Sequence, residues 1–164
     1  MANSQIFVDR LSRAWDNDDA VFPLDQRLPA PARQQILDLV KPTIIATPEG
    51  DTRVDGQHVE HGDAIVVATS GTSGVPKAAV LTMAAVEASA RATSERLNVT
   101  LRDTWLACLP PSHVGGLSVI TGSLIMGTSL IPMPSFSPES FEEGAREGAT
   151  LVSLVSTALQ RIDP

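Results

Sequence analysis

Thr69-Ser70-Gly71-Thr72-Ser73-Gly74-Val75-Pro76-Lys77 is the stretch on which the reading of this chain turns. Gly71 and Gly74 let the backbone take positive φ and come close to an anion. The hydroxyls of Thr69, Ser70, Thr72 and Ser73, with successive backbone N–H groups, can donate to phosphate oxygens. Lys77 adds a mobile point charge just beyond the loop, within reach of a terminal phosphate. The combination is an anion cradle. It departs from the P-loop pattern, because Pro76 stands where a glycine should directly precede the lysine and no Ser or Thr follows Lys77.

Outward from the loop, helix and strand patterns alternate. Ala64 to Ala68 before it and Ala78 to Leu81 after it are short apolar strands. Thr82 can cap a helix over Met83 to Leu97, whose Ala, Val, Glu and Arg content favours one. Strands are expected at Trp105 to Leu109, Ser129 to Pro132 and Leu151 to Val155, and helices at Val114 to Met126 and Pro138 to Glu147; Ser156 caps and begins a last helical turn. On the other side, helices are expected from Ser4 to Trp15 and from Pro31 through Val40, with strands at Ala20 to Leu24 and Thr43 to Thr47. Pro48 to Asp63, with Asp55-Gly56, reads as a hairpin-like excursion or exposed loop. This alternation, joined by short connections, predicts an α/β domain with a largely parallel sheet.

Composition narrows the function classes. The chain has 164 residues, 43% hydrophobic and 19% charged, which suits one globular domain. Its net charge of -7 and lack of any basic run argue against nucleic acid as a partner. An acidic protein that binds a polyphosphate must use local backbone N–H groups and a few placed cations, which returns the search to the glycine loop. A single cysteine, Cys108, excludes an internal disulfide and fits a reducing compartment. No signal-peptide core occupies the first residues, and Val114 to Met133 is interrupted by four glycines and Pro132, so no membrane span is expected. The expected localisation is cytoplasmic.

The segment Ser70 to Lys77, between its two apolar strands, resembles the phosphate-binding signature of the adenylate-forming superfamily, which includes acyl-CoA synthetases, nonribosomal-peptide adenylation domains and luciferases. Leu109-Pro110-Pro111-Ser112-His113-Val114-Gly115-Gly116-Leu117 is similar to the family segment in which a histidine sits beside the acyl pocket. Gly148 to Arg161 is similar to the strand and helix that wall that pocket, although Ser156 stands where many relatives have proline. Within the superfamily, the combination looks most like the 2-succinylbenzoate-CoA ligases of menaquinone biosynthesis.

The resemblance implies a fold, a chemistry and a set of residues. The fold is part of the large N-terminal domain of the adenylate-forming fold, mainly a parallel sheet flanked by helices. Residues 1–164 would be an incomplete N-terminal AMP-binding domain, with the C-terminal lid domain absent. The chemistry is attack of a small-molecule carboxylate on the α phosphorus of ATP, then transfer of the acyl group to CoA, with Mg²⁺ as the metal cofactor. Thr69, Ser70, Gly71, Thr72, Ser73, Gly74 and Lys77 would hold the nucleotide phosphates, and His113 would be the catalytic residue, its neighbouring glycine pair letting a helix pass close to substrate. The family's Tyr-Gly-x-Thr-Glu element is absent, because the chain has no tyrosine. The expectation is therefore a piece that is inactive alone, with unpartnered apolar faces that favour homo-oligomers or aggregation. The alternative is a stand-alone nucleotide-binding or regulatory module that keeps the fold without catalysis; a gene that continues past Pro164 into the tyrosine element separates the two.

Other residues read as structural. His58 and His61 have a spacing that can bind metal, but two ligands without a third make solvated turn residues the better reading. Cys108 is expected in the core, and Asp16, Asp18 and Asp19 on a solvated face.

Overall fold

The structure, a computed structural model, describes residues 4–162 except 71–75, and of Ser70 only the backbone. The elements run α1 (Gln5–Asp16), α2 (Ala30–Val40), β1 (Ile44–Thr47), β2 (Gly50–Arg53), β3 (Asp63–Ser70), β4 (Pro76–Thr82), α3 (Met83–Leu97), β5 (Thr104–Ala107), α4 (Val114–Met126), β6 (Ser129–Pro132), α5 (Pro138–Arg146), β7 (Leu151–Val152) and α6 (Ser156–Leu159).

Local chemistry sets most of the boundaries. The Ser4 hydroxyl accepts from the Phe7 amide at 3.3 Å and starts α1, and the Thr82 hydroxyl does the same for the Ala85 amide at the head of α3. At α5, Ser137 and Ser140 cap each other reciprocally, at 3.0 and 2.8 Å. Gly127, at φ 69°, closes α4 in the left-handed region, where a side chain would be strained. The cap of α6 is Val155; Ser156 is its first helical residue rather than the cap expected from its hydroxyl.

The α/β class is as expected, and the parallel part of it is the sheet ordered β6-β5-β7. Beside it stand two antiparallel pairs, β1 with β2 and β3 with β4, where a single largely parallel sheet had been expected. Both come from short connections, Pro48-Glu49 in one and residues 71–75 in the other, which have no room for the crossover a parallel pair requires. Of the hairpin-like excursion or exposed loop expected over Pro48 to Asp63, Pro48-Glu49 and β2 complete a hairpin with β1, and residues 54–62 carry no strand.

The expected strand over Ala20 to Leu24 contracts to one parallel bridge. The Val21 amide donates to the Ala64 carbonyl, and the Val66 amide donates to the Val21 carbonyl, each at 3.0 Å. The next inward-facing donor on that ladder would be residue 23, which is proline and has no N–H. Pro110 and Pro111 likewise follow β5, which stops at Ala107 instead of Leu109, and β7 shortens with its partner.

Strand β5 divides the core by its two-residue period. Trp105 and Ala107 join Phe7, Val8, Leu11, Ile65, Val67, Leu117 and Ile120 on one face. Leu106 and Cys108 join Met133 on the other, with Phe136 and Phe141 packed against them. Both faces of the strand are covered, which explains why Trp-Leu-Ala-Cys reads as an unbroken apolar run instead of an alternating one. Cys108 is buried as expected, and burial pushes its thiol above the ordinary range. Trp15 ties α1 to β3 through its indole N–H, which donates to the Ala64 carbonyl at 3.0 Å. Among the described residues no helix is long and apolar enough to cross a membrane.

Candidate functional site

The β3–β4 hairpin holds both ends of the glycine loop in register. Ser70 lies opposite Pro76 and Thr69 opposite Lys77. Directly opposed residues on an antiparallel pair project to the same face, so the Thr69 hydroxyl and the Lys77 side chain leave the hairpin on one side. The Thr69 hydroxyl donates to the Lys77 carbonyl at 3.5 Å, and both residues are exposed. The strands thus extend further than the apolar runs suggested, taking in Thr69, Ser70, Pro76 and Lys77. The backbone of Ser70 belongs to the ladder. Gly71, Thr72, Ser73 and Gly74 lie outside the described residues.

His113 is the N-cap of α4, with extended φ and ψ of -120° and 146°. Its carbonyl accepts from the amides of Gly116 and Leu117 at 3.1 and 2.9 Å, and its own amide donates to Pro110 at 3.2 Å. The backbone is fully engaged, while the imidazole is exposed and makes no capping bond. Among the described residues no hydrogen bond or ion pair joins His113 to Thr69 or Lys77.

The two glycines after His113 have different physical roles. A Cβ on Gly116 would lie 2.3 Å from the Pro110 carbonyl oxygen and 2.4 Å from that of Leu109. A Cβ on Gly115 would meet only the Leu109 Cδ1, at an ordinary 3.8 Å. The close approach that glycine permits here is thus of α4 to its own preceding loop, and it fixes where the helix start and His113 sit.

Asp25 to Pro29 reads in sequence only as a turn signal. The Asp25 carboxylate accepts from the Arg27 guanidinium at 2.7 and 2.9 Å and from the Arg27 amide at 2.9 Å. The guanidinium bond is the largest cause holding the Asp25 carboxyl down to about 2; burial opposes it, and the Arg27 amide, the Arg27 charge and the charge of His113 add to it. The last of these places the turn within electrostatic reach of His113.

Asp25→Asn is expected to lower stability by about 1 kcal/mol at neutral pH, a modest value because the Arg27 side of the pair is largely exposed. Since the folded carboxyl titrates below its ordinary 3.8, its contribution is fully present above that value and is lost as pH falls toward about 2. Urea titrations at stepped pH should show a constant gap between wild type and variant above about pH 5 that closes on acidification.

The remaining charged clusters are structural. His61 Nδ1 pairs with the Asp18 carboxylate, joining the turn after α1 to the loop before β3, and both side chains remain on the solvated surface expected for them. That contact lowers the Asp18 carboxyl below its usual range. Among the described residues no group of His, Cys, Asp and Glu is placed to hold a metal ion.

A cavity of about 420 Å³ opens between α3 and α4 beneath β3 and β5, within the size range of small-molecule sites. Val114, Leu117, Thr121 and Gly122 of α4 line one side, and Ala85, Ser89, Ala90 and Thr93 of α3 the other. Trp105 and Val152 contribute from the strands. Sequence reading had not found it, because its lining is drawn from separate elements.

Known proteins share this arrangement. Residues 59–162 match the family of AMP-binding enzymes. A probable 2-succinylbenzoate-CoA ligase of Mycobacterium tuberculosis is 41% identical over 104 residues, covering 60% of this chain and 26% of that protein. The chain therefore spans about a quarter of the length of that relative. A variant of Escherichia coli MenE with bound OSB-AMS superposes with a TM-score of 0.79 at 26% identity, over 98% of this chain and 39% of that one. A malonyl-CoA ligase holding methylmalonyl-CoA and AMP gives 0.78 at 27% identity, over 93% and 38%. The matched segment takes in the glycine loop, both of its strands and His113, and the chain belongs to the family of AMP-binding enzymes.

Proposed function

We propose that this chain forms the N-terminal, phosphate-holding portion of an ATP-dependent acid-thiol ligase. Such an enzyme joins a carboxylate to AMP with release of pyrophosphate and then passes the acyl group to CoA. The acid is 2-succinylbenzoate, which supports a role in menaquinone synthesis. The observation that carries this reading is the hairpin: two paired strands hold the ends of residues 71–75 while presenting a hydroxyl and an ammonium group on one face. The mycobacterial relative supports the choice of acid.

ATP, Mg²⁺ and CoA are the cofactors of the reaction. The donor set suits the first of them: backbone amides and hydroxyls of residues 69–74 bind phosphate oxygens, and Lys77 offsets negative charge on the terminal phosphates. His113, exposed at the start of α4, is the group proposed to face the acyl-transfer step. Magnesium supplies charge neutralisation of the polyphosphate when bound.

The phosphate role is tested by titrating the isotopically labelled chain with tripolyphosphate. Amide shifts confined to residues 69–77 are expected, and Lys77→Ala should weaken binding about tenfold, the equivalent of ~1.4 kcal/mol. The chain by itself should show no ATP–pyrophosphate exchange. Shifts spread over the protein, or an affinity unchanged in Lys77→Ala, would remove the basis for the ligase reading.

A further inference from the structure

We propose that Arg27 is a second phosphate-binding cation, placed with Lys77 at the open end of the β3–β4 hairpin and oriented by Asp25. The proposal rests on the ligase reading for the identity of the anion, a polyphosphate, and on the path of the chain for its location.

The path of the chain carries Arg27 to that end. Val21 bridges β3 in parallel, its amide donating to Ala64 and its carbonyl accepting from Val66, so the residues after it run toward Ser70. The other edge of β3 is taken by β4, and α2, which begins three residues after Arg27, packs beside β4. Residues 22–29 therefore cross from one edge of β3 to β4, and they do so at the end of the hairpin where Thr69 and Lys77 are opposed. The register agrees, since Val21 opposite Ile65 sets residue 25 near the level of Thr69. So does the surrounding core. Val21, Ile65 and Val67 pack with Leu117, which lies one helical turn after His113. After the Arg27 bond, the charge of His113 is among the causes that hold the Asp25 carboxyl low.

The pair is built as an orienting carboxylate and an outward guanidinium. Asp25 accepts from Nε and Nη2 of Arg27 at 2.9 and 2.7 Å, which fixes the plane of the group, while Nη1 has no acceptor among the described residues. The Arg27 side chain is 67% exposed and that of Asp25 15%, so the carboxylate lies behind and the open edge faces solvent. A planar fork with free N–H groups suits phosphate oxygens. Charge supplies a second reason for the arrangement. The chain carries -7 overall, and a bare carboxylate beside a polyphosphate would repel it. Arg27 stands between the two, so Asp25 orients a ligand-binding group instead of opposing the ligand.

The test uses the full ¹⁵N-labelled chain and tripolyphosphate. The Arg27 Nε–H signal, identified by its loss in Arg27→Gln, should shift together with the Thr69 and Lys77 amides and saturate at the same concentration. Arg27→Gln should weaken binding about tenfold, and Arg27→Lys should recover only part of that loss, because an ammonium group lacks the fork. Combining Asp25→Asn with Arg27→Gln removes the carboxylate that needs covering. The double variant should still bind several-fold more weakly than Asp25→Asn alone, the difference being direct contact with phosphate.

A stationary Arg27 signal while Thr69 and Lys77 shift overturns the proposal and leaves the ligase reading standing. Full affinity in Arg27→Gln does the same. Equal affinity of the double variant and Asp25→Asn also overturns it, because Arg27 would then only cover a carboxylate. Movement of Arg27 without Thr69 and Lys77 overturns the shared site. Silence of all three signals removes the ligase reading and this proposal together.

Discussion

Gly116→Ala is expected to destabilise the protein by about 2–3 kcal/mol, a large effect for the addition of one methyl group. The new Cβ would fall 2.3 Å from the Pro110 oxygen, 2.4 Å from the Leu109 oxygen and 2.7 Å from the Leu109 carbonyl carbon. All three are backbone atoms, so no rotamer change relieves the clash. Either the first turn of α4 lifts away or the Leu109–Pro110 loop retreats, and both movements break the bonds from Gly116 and Leu117 to the His113 carbonyl. Gly115→Ala is the control. Its Cβ meets a single side-chain atom at 3.8 Å, and alanine favours a helix, so stability should be unchanged or slightly raised. Denaturation of both variants, with the His113 ring signals followed by NMR, tests the claim. Equal stability of the two alanine variants would contradict it.

Leu106→Ala should cost about 3–4 kcal/mol, in the range for a fully buried leucine whose surroundings cannot collapse. Leu106 is 1% exposed and sits in the central strand, in register with Ile131 on one side and Val152 on the other. Above it is Gly144 of α5, where a Cβ would meet Leu106 Cδ1 at 2.5 Å and Cδ2 at 2.9 Å. The leucine occupies the space that the glycine leaves, which makes the pair interdependent. Gly144→Ala alone should destabilise through overpacking, whereas in the Leu106→Ala background its methyl group enters the void. The double variant should therefore be more stable than the sum of the two single losses, with a coupling of about 1–2 kcal/mol. Additive losses would mean that α5 does not rest on Leu106.

These two effects also show how far the amino-acid order can be read. The order of helices and strands was legible because its determinants are local: the Ser4, Thr82 and Ser137 caps, the 3.6-residue spacing of α1 and the apolar runs of β3 and β5. Differences arose where pairing partners decide. Ala20 to Leu24 has the composition of a strand but keeps only the Val21 bridge, because Pro23 cannot donate to the ladder. Thr69, Ser70, Pro76 and Lys77 read as loop, yet they pair as strand, since the opposing strand satisfies their backbone groups.

The candidate site divides along the same line. Sequence alone pointed to the proposed phosphate-binding chemistry, because glycine conformational freedom, clustered hydroxyls and an adjacent lysine are properties of a contiguous segment. It also singled out His113 by resemblance. Only the tertiary structure decided that Thr69 and Lys77 share a face, that Gly116 serves the packing of α4 on its own loop, and that α3 and α4 enclose an uncharged cavity. The physical reason is range: backbone propensity and capping act over a few residues, whereas cross-strand register, close approach and enclosure depend on segments tens of residues apart that meet only when the chain is folded.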